Sequence, residues 1–199
     1  MPSNREDRKD NRDRNQRIAF RMIRFMHDNA LLRALIDPAE LMRQLGVEEG
    51  RRVLEVGCGP GFFTLGAAAA VGPDGQVFAY DVNPYATAYL EEKLAARGIG
   101  NVRVEHRNAA DTGLAEASVD FAFVTGVPHV VGGRHTLLEE LVRVLRRGGI
   151  LAYRPNPGGH GALLQAAAAL GLRREGTVRR FLMLRREDDR RTDEAPRSE

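Results

Sequence analysis

The chain has 199 residues, 43% of them hydrophobic and 29% charged, and a formal net charge of +3. That length suits one domain with a sizeable core, and a second domain of typical size does not fit beside it. The single cysteine, Cys58, excludes an internal disulfide and any multi-cysteine metal site, and no apolar run approaches the ~20 residues of a membrane span.

In chain order, residues 1–17 mix Arg, Asp, Glu and Asn without apolar periodicity and are expected to form a disordered charged tail. This start is too polar for a signal peptide, and a reducing, cytoplasmic location is expected. Ile18, Met22, Phe25 and Met26 recur at helical spacing, followed by Leu31, Leu32, Leu35 and Ile36. Pro38 opens a further short helix through Leu45. A buried strand over 51–57 leads into an alanine-rich helix over 62–71. A strand over 76–80 is followed by a helix over 84–97, which Gly98 stops. Strands are expected over 101–106, 119–124 and 148–154. An amphipathic helix covers 135–145 and another helix 162–170. Two last strands, 172–178 and 181–185, have only Arg179 and Arg180 between them, so they pair as an antiparallel hairpin. Residues 187–199 read as a second disordered tail. This alternation predicts an α/β fold, a mostly parallel sheet of seven strands with helices on both faces.

The segment that carries chemistry is VLEVGCGPGFFT, residues 53–64. Gly57, Gly59 and Gly61 stand between a strand and a helix, where glycine lets the backbone bend sharply and lie against a ligand. The helix end favours an anion such as a carboxylate or phosphate. About 20 residues on, the second strand ends at Asp81, whose carboxylate can accept both hydroxyls of a ribose. Together these residues point to an adenosine-containing cofactor.

The spacing is G-x-G-x-G with Glu55 two residues ahead, not the dinucleotide G-x-G-x-x-G. It resembles motif I of the class I S-adenosylmethionine-dependent methyltransferases. NVRVEHRNAADTGL, VDFAFVTGVPHVV and RVLRRGGILAYRP are similar to that family's third-, fourth- and fifth-strand segments. The likeness covers about residues 30–185 and looks nearest to the small ubiquinone/menaquinone-biosynthesis group.

The resemblance implies a doubly wound, Rossmann-like domain over 18–186, with 18–46 as a helical lid. It implies S-adenosylmethionine as cofactor. Glu55, Gly57, Cys58, Gly59 and Gly61 would hold its methionine end, Asp81 its ribose, and Val82 its adenine. Asn108 stands where an aspartate is usual for the adenine amine, with Ala109 beside it. Thr125 and Gly126 would border the methyl group. His129 is the candidate base, with a scaffold role as the alternative. For Cys58, packing in the tight turn is favoured over a nucleophilic thiolate.

Among the other histidines, His27 and Asp28 read as a solvated lid edge and His106 as a strand cap. His135 with Glu139 reads as a surface ion pair, and His160 as a substrate-site candidate on the ligand-binding rim. No metal site is expected. The acceptor is expected to be a small molecule, an apolar quinone or lipid precursor among the candidates, with RNA or protein left open. Two alternatives stand beside the methyltransferase: a non-catalytic cofactor-binding subunit and an NAD(P)-binding oxidoreductase.

Overall fold

The computed structural model describes residues 6–27, 36–125, 133–155 and 160–187. Its helices are α1 (Glu6–His27), α2 (Pro38–Gln44), α3 (Phe62–Val71), α4 (Pro84–Ala95), α5 (Gly133–Val144) and α6 (His160–Ala169). Its strands are β1 (Arg52–Val56), β2 (Gln76–Asp81), β3 (Val102–His106), β4 (Val119–Val124), β5 (Leu145–Tyr153), β6 (Leu172–Val178) and β7 (Phe181–Arg186).

The near-continuous burial of β1, β2 and β4 marks strands covered on both faces, as a parallel sheet requires. The seven strands lie in the order β3-β2-β1-β4-β5-β7-β6. The first five run parallel, and β7 runs antiparallel to both β5 and β6. Leu54, Tyr80 and Leu151 pack with Leu137 and Leu141 of α5. Val53, Phe121 and Phe123 pack with Ala67 of α3 and Met42 of α2. Chain order reverses at β1, between β2 and β4, which opens a crevice at the carboxyl ends of these strands.

Caps fix where the helices begin. The Asp37 carboxylate accepts the Ala39 N–H at 2.9 Å, and Pro38 opens α2. The Asn83 side chain accepts the Tyr85 N–H at 3.0 Å, and Pro84 opens α4.

One expectation is corrected. Residues 6–17, read as tail, form the first half of α1. The cause is tertiary: the Tyr85 hydroxyl donates to the Asp13 carboxylate at 2.9 Å, and the Asn83 amide donates to the Gln16 carbonyl at 3.0 Å. Phe20 is buried against the Tyr89 ring, with centroids 5.5 Å apart. Composition within the segment cannot reveal a partner on α4. A smaller difference lies at β5, which begins at Leu145 directly after α5 rather than at residue 148. A register shift between Val119 and Phe121 of its partner β4 absorbs the extra residues.

Candidate active site

Backbone geometry explains the glycines. Gly57, Gly59 and Gly61 all have positive φ, at 86°, 51° and 83°. At Gly61 a Cβ would come within 2.4 Å of Leu90 Cδ1. The turn folds back on its neighbour strand, where the N–H groups of Gly57 and Cys58 both donate to the Tyr80 carbonyl, at 2.8 and 3.1 Å. The Gly61 N–H donates to the Cys58 carbonyl at 2.9 Å, and the Gly59 N–H to Asp81 Oδ2 at 2.9 Å. The donors of the turn are therefore spent internally, and its side chains decide what it can hold.

Those side chains are acidic. Glu55, at the end of β1, is fully buried, and neither carboxyl oxygen has a hydrogen-bond partner. Burial raises its pKa to about 8. The nearby Thr64 hydroxyl opposes the rise without reaching hydrogen-bond geometry, and the Asp81 charge adds to it. Asp81 is also pushed above the usual carboxylate range by burial, against the opposing pull of the Gly59, Asn83 and Val82 N–H groups. Its Oδ1 accepts the Asn83 N–H at 2.8 Å. Each Asp81 oxygen accepts one protein donor, and a carboxylate has about four acceptor positions, so it can take further donors.

An acidic turn with its own N–H groups engaged repels a phosphate and suits a cation. Two unpaired buried oxygens at Glu55 are costly unless a donor or cation completes them. A sulfonium nucleoside with a free ammonium fits these residues. Cys58 is buried in the turn among Ala79, Leu90 and Leu94. Burial, with Glu55 and Asp81 nearby, pushes its thiol well above the ordinary range, so it packs as a neutral side chain.

The far wall is held by polar ties. The Tyr80 hydroxyl donates to the Thr112 carbonyl at 2.9 Å, and the buried Glu140 accepts the Thr112 N–H at 2.9 Å. Burial opposes the Glu140 charge, but the Arg143 guanidinium and two Thr112 donors outweigh it and hold its pKa down to about 2. These ties fix the segment that carries Asn108 and Ala109. Ala109 is buried, and the Asn108 side-chain oxygen accepts the Ala110 N–H at 3.1 Å. Val82 beside Asp81 stays 46% exposed, an apolar surface suited to a flat ring. Thr125 is buried, its N–H donating to the Val56 carbonyl at 3.2 Å.

The structure thus brings together Glu55, the three glycines, Cys58 and Asp81 at one turn. Gly126, His129 and Asp28 lie outside the described residues, as do the side chains of His27 and His160. His106 Nε2 lies 3.1 Å from the Val82 carbonyl at the end of β3. His135 Nε2 lies 3.4 Å from Glu139 Oε1 on an exposed face of α5.

Sequence reasoning missed two supports of the turn. Lys93 Nζ donates to the Pro60 carbonyl at 2.7 Å. Ile23 of α1 reaches over Gly59, 3.7 Å from where a Cβ would stand. Both cross from distant segments and leave no local signal.

Residues 53–149 match the methyltransferase domain family. A demethylmenaquinone methyltransferase of Geobacillus kaustophilus is 34% identical over 111 residues, which are 56% of this chain and 47% of that protein. The chain thus spans about half the length of the curated relatives it matches. A solved S-adenosylmethionine-dependent methyltransferase from Aquifex aeolicus superposes with a TM-score of 0.70. It is 24% identical, and the match covers 84% of this chain and 98% of that one. Geranyl diphosphate C-methyltransferase from Streptomyces coelicolor, solved with S-adenosylhomocysteine, superposes with a TM-score of 0.62. It is 19% identical, over 71% of this chain and 62% of that one.

Proposed function

We propose that this chain, whose residues 53–149 match the methyltransferase domain family, is a class I S-adenosylmethionine-dependent methyltransferase that transfers a methyl group to a small-molecule acceptor. The observation that carries this reading is the fully buried, unpaired carboxyl of Glu55 beside the part-buried Asp81, at a glycine turn whose N–H groups are already engaged.

S-adenosylmethionine, when bound, supplies a methyl group already activated by its sulfonium. The protein therefore has to bind, orient and exclude water. Glu55 faces the cationic amino-acid end and gives up its proton as that charge arrives. Asp81 accepts the ribose hydroxyls with the lone pairs that Gly59 and Asn83 leave. Val82 and Ala109 flank the adenine, and the Asn108 amide stands at its amine edge. Thr125 borders the transfer position. Alignment of this kind can lower a barrier by ~7–11 kcal/mol. We assign to His129 the acceptance of the proton that a hydroxyl or amine acceptor would lose.

The Geobacillus relative, a demethylmenaquinone methyltransferase by name, supports a quinone-like, apolar acceptor as the finer reading.

Titration calorimetry with S-adenosylhomocysteine and with NADH tests the assignment. Binding of the first and no heat from the second is the expected result; the reverse preference would return the site to the oxidoreductases. Asp81→Ala should weaken S-adenosylhomocysteine by ~1.5–3 kcal/mol, roughly ten- to a hundredfold. Unchanged affinity would remove the ribose assignment.

A further inference from the structure

We propose that the outward face of α1 docks on an anionic lipid surface. The helix carries two stripes. The inner one, Asp13, Gln16, Phe20 and Arg24, follows helical spacing and holds α4 through Tyr85, Asn83 and Tyr89. The outer one carries Ile18, Met22 and Phe25 at i, i+4 and i+7, with exposures of 47%, 64% and 82%. Scattered exposed apolar residues are ordinary; three in register on one helix form a continuous face.

The charge on this helix selects the partner. From Arg14 to His27 there are four arginines and no acidic residue. Arg14 and Arg21 are exposed and lie on the apolar stripe itself, four residues before Ile18 and four before Phe25. A helix with an apolar face, flanked by arginines and fixed from behind, lies in the plane of a membrane interface. Its apolar side chains enter the acyl boundary and its guanidinium groups meet anionic headgroups. No helix among the described residues is long and apolar enough to cross a membrane.

The docking has a direction. Because Ile23 reaches over Gly59, the docked helix lies across the glycine turn, at the same end of the molecule as the candidate site. An acceptor dissolved in the bilayer would then reach the site without crossing bulk water. This consequence rests on the methyl-transfer reading; the docking itself does not.

Co-sedimentation of the full chain with phosphatidylglycerol and with phosphatidylcholine vesicles provides the test. Binding should favour the anionic vesicles at least tenfold and weaken as salt rises from about 0.05 to 0.5 M. Met22→Glu with Phe25→Glu should abolish it. Arg14→Gln with Arg21→Gln should lower it about thirtyfold. These side chains are exposed and are not among the ties that hold α1 to α4, so melting temperature and S-adenosylhomocysteine affinity should not change. No vesicle binding, equal binding to both vesicles, or variants that bind like the parent would overturn the proposal. So would a dimer in solution that Phe25→Glu dissolves, which would give the face to a second copy. Vesicle binding without S-adenosylhomocysteine binding would refute the cofactor assignment and leave the docking standing.

Discussion

Glu55 is an acid whose charge depends on what enters the turn beside it. Its pKa of about 8 lies above its ordinary value of 4.5, so the folded protein holds a proton that the unfolded chain has released. Stability should therefore fall as pH rises from about 4.5 to about 8, by up to ~1.4 kcal/mol per pH unit, and level off above that. Glu55→Gln should flatten this slope, read as urea midpoints at pH 5.5 and pH 8.5; an unaltered slope would place the titration elsewhere. A bound cation favours the ionised form, so at pH 7 binding should release close to one proton per site in the parent and none in the variant. Calorimetry in buffers of different ionisation heat reads this directly. Glu55 and Asp81 were legible in the sequence because strand ends and glycine spacing place them. Lys93 on Pro60 and Thr112 on Glu140 were not, since these partners are 33 and 28 residues apart.

Among the elements, the β6–β7 hairpin carries a cost that a substitution can remove. Arg179 and Arg180 have φ of 48° and 70°, a backbone that suits Asn-Gly rather than two arginines. Among the described residues, the hydrogen bond at risk runs from the exposed Arg179 Nε to Gln44 Oε1, at 2.9 Å. Arg179→Asn with Arg180→Gly should stabilise the fold by about 1 kcal/mol, or roughly 2–4 °C in Tm. A lower Tm would mean that these arginines hold the hairpin in another way. The hairpin itself was legible, because two residues leave no room for a crossover. The helices α3 and α4 were legible from apolar composition and from Pro84. The first half of α1 was not, because its polar sequence gains order only from Tyr85, Asn83 and Tyr89.

At the scale of the molecule, alternating strands and helices announced the sheet, and the order β3-β2-β1-β4-β5-β7-β6 puts the β1 turn at the point of reversal. A reversal point fixes where a ligand sits but not which ligand. The choice comes from chemistry at the turn: N–H groups already engaged, a buried Glu55 beside a part-buried Asp81, and a glycine backbone pressed against Leu90. A crystal structure with S-adenosylhomocysteine tests this most directly. It should show the ribose hydroxyls on Asp81 and the ammonium on the Glu55 side of the glycine turn. Density for the nucleoside elsewhere, or a turn that offers its N–H groups to the ligand while Glu55 stays unpaired, would contradict it.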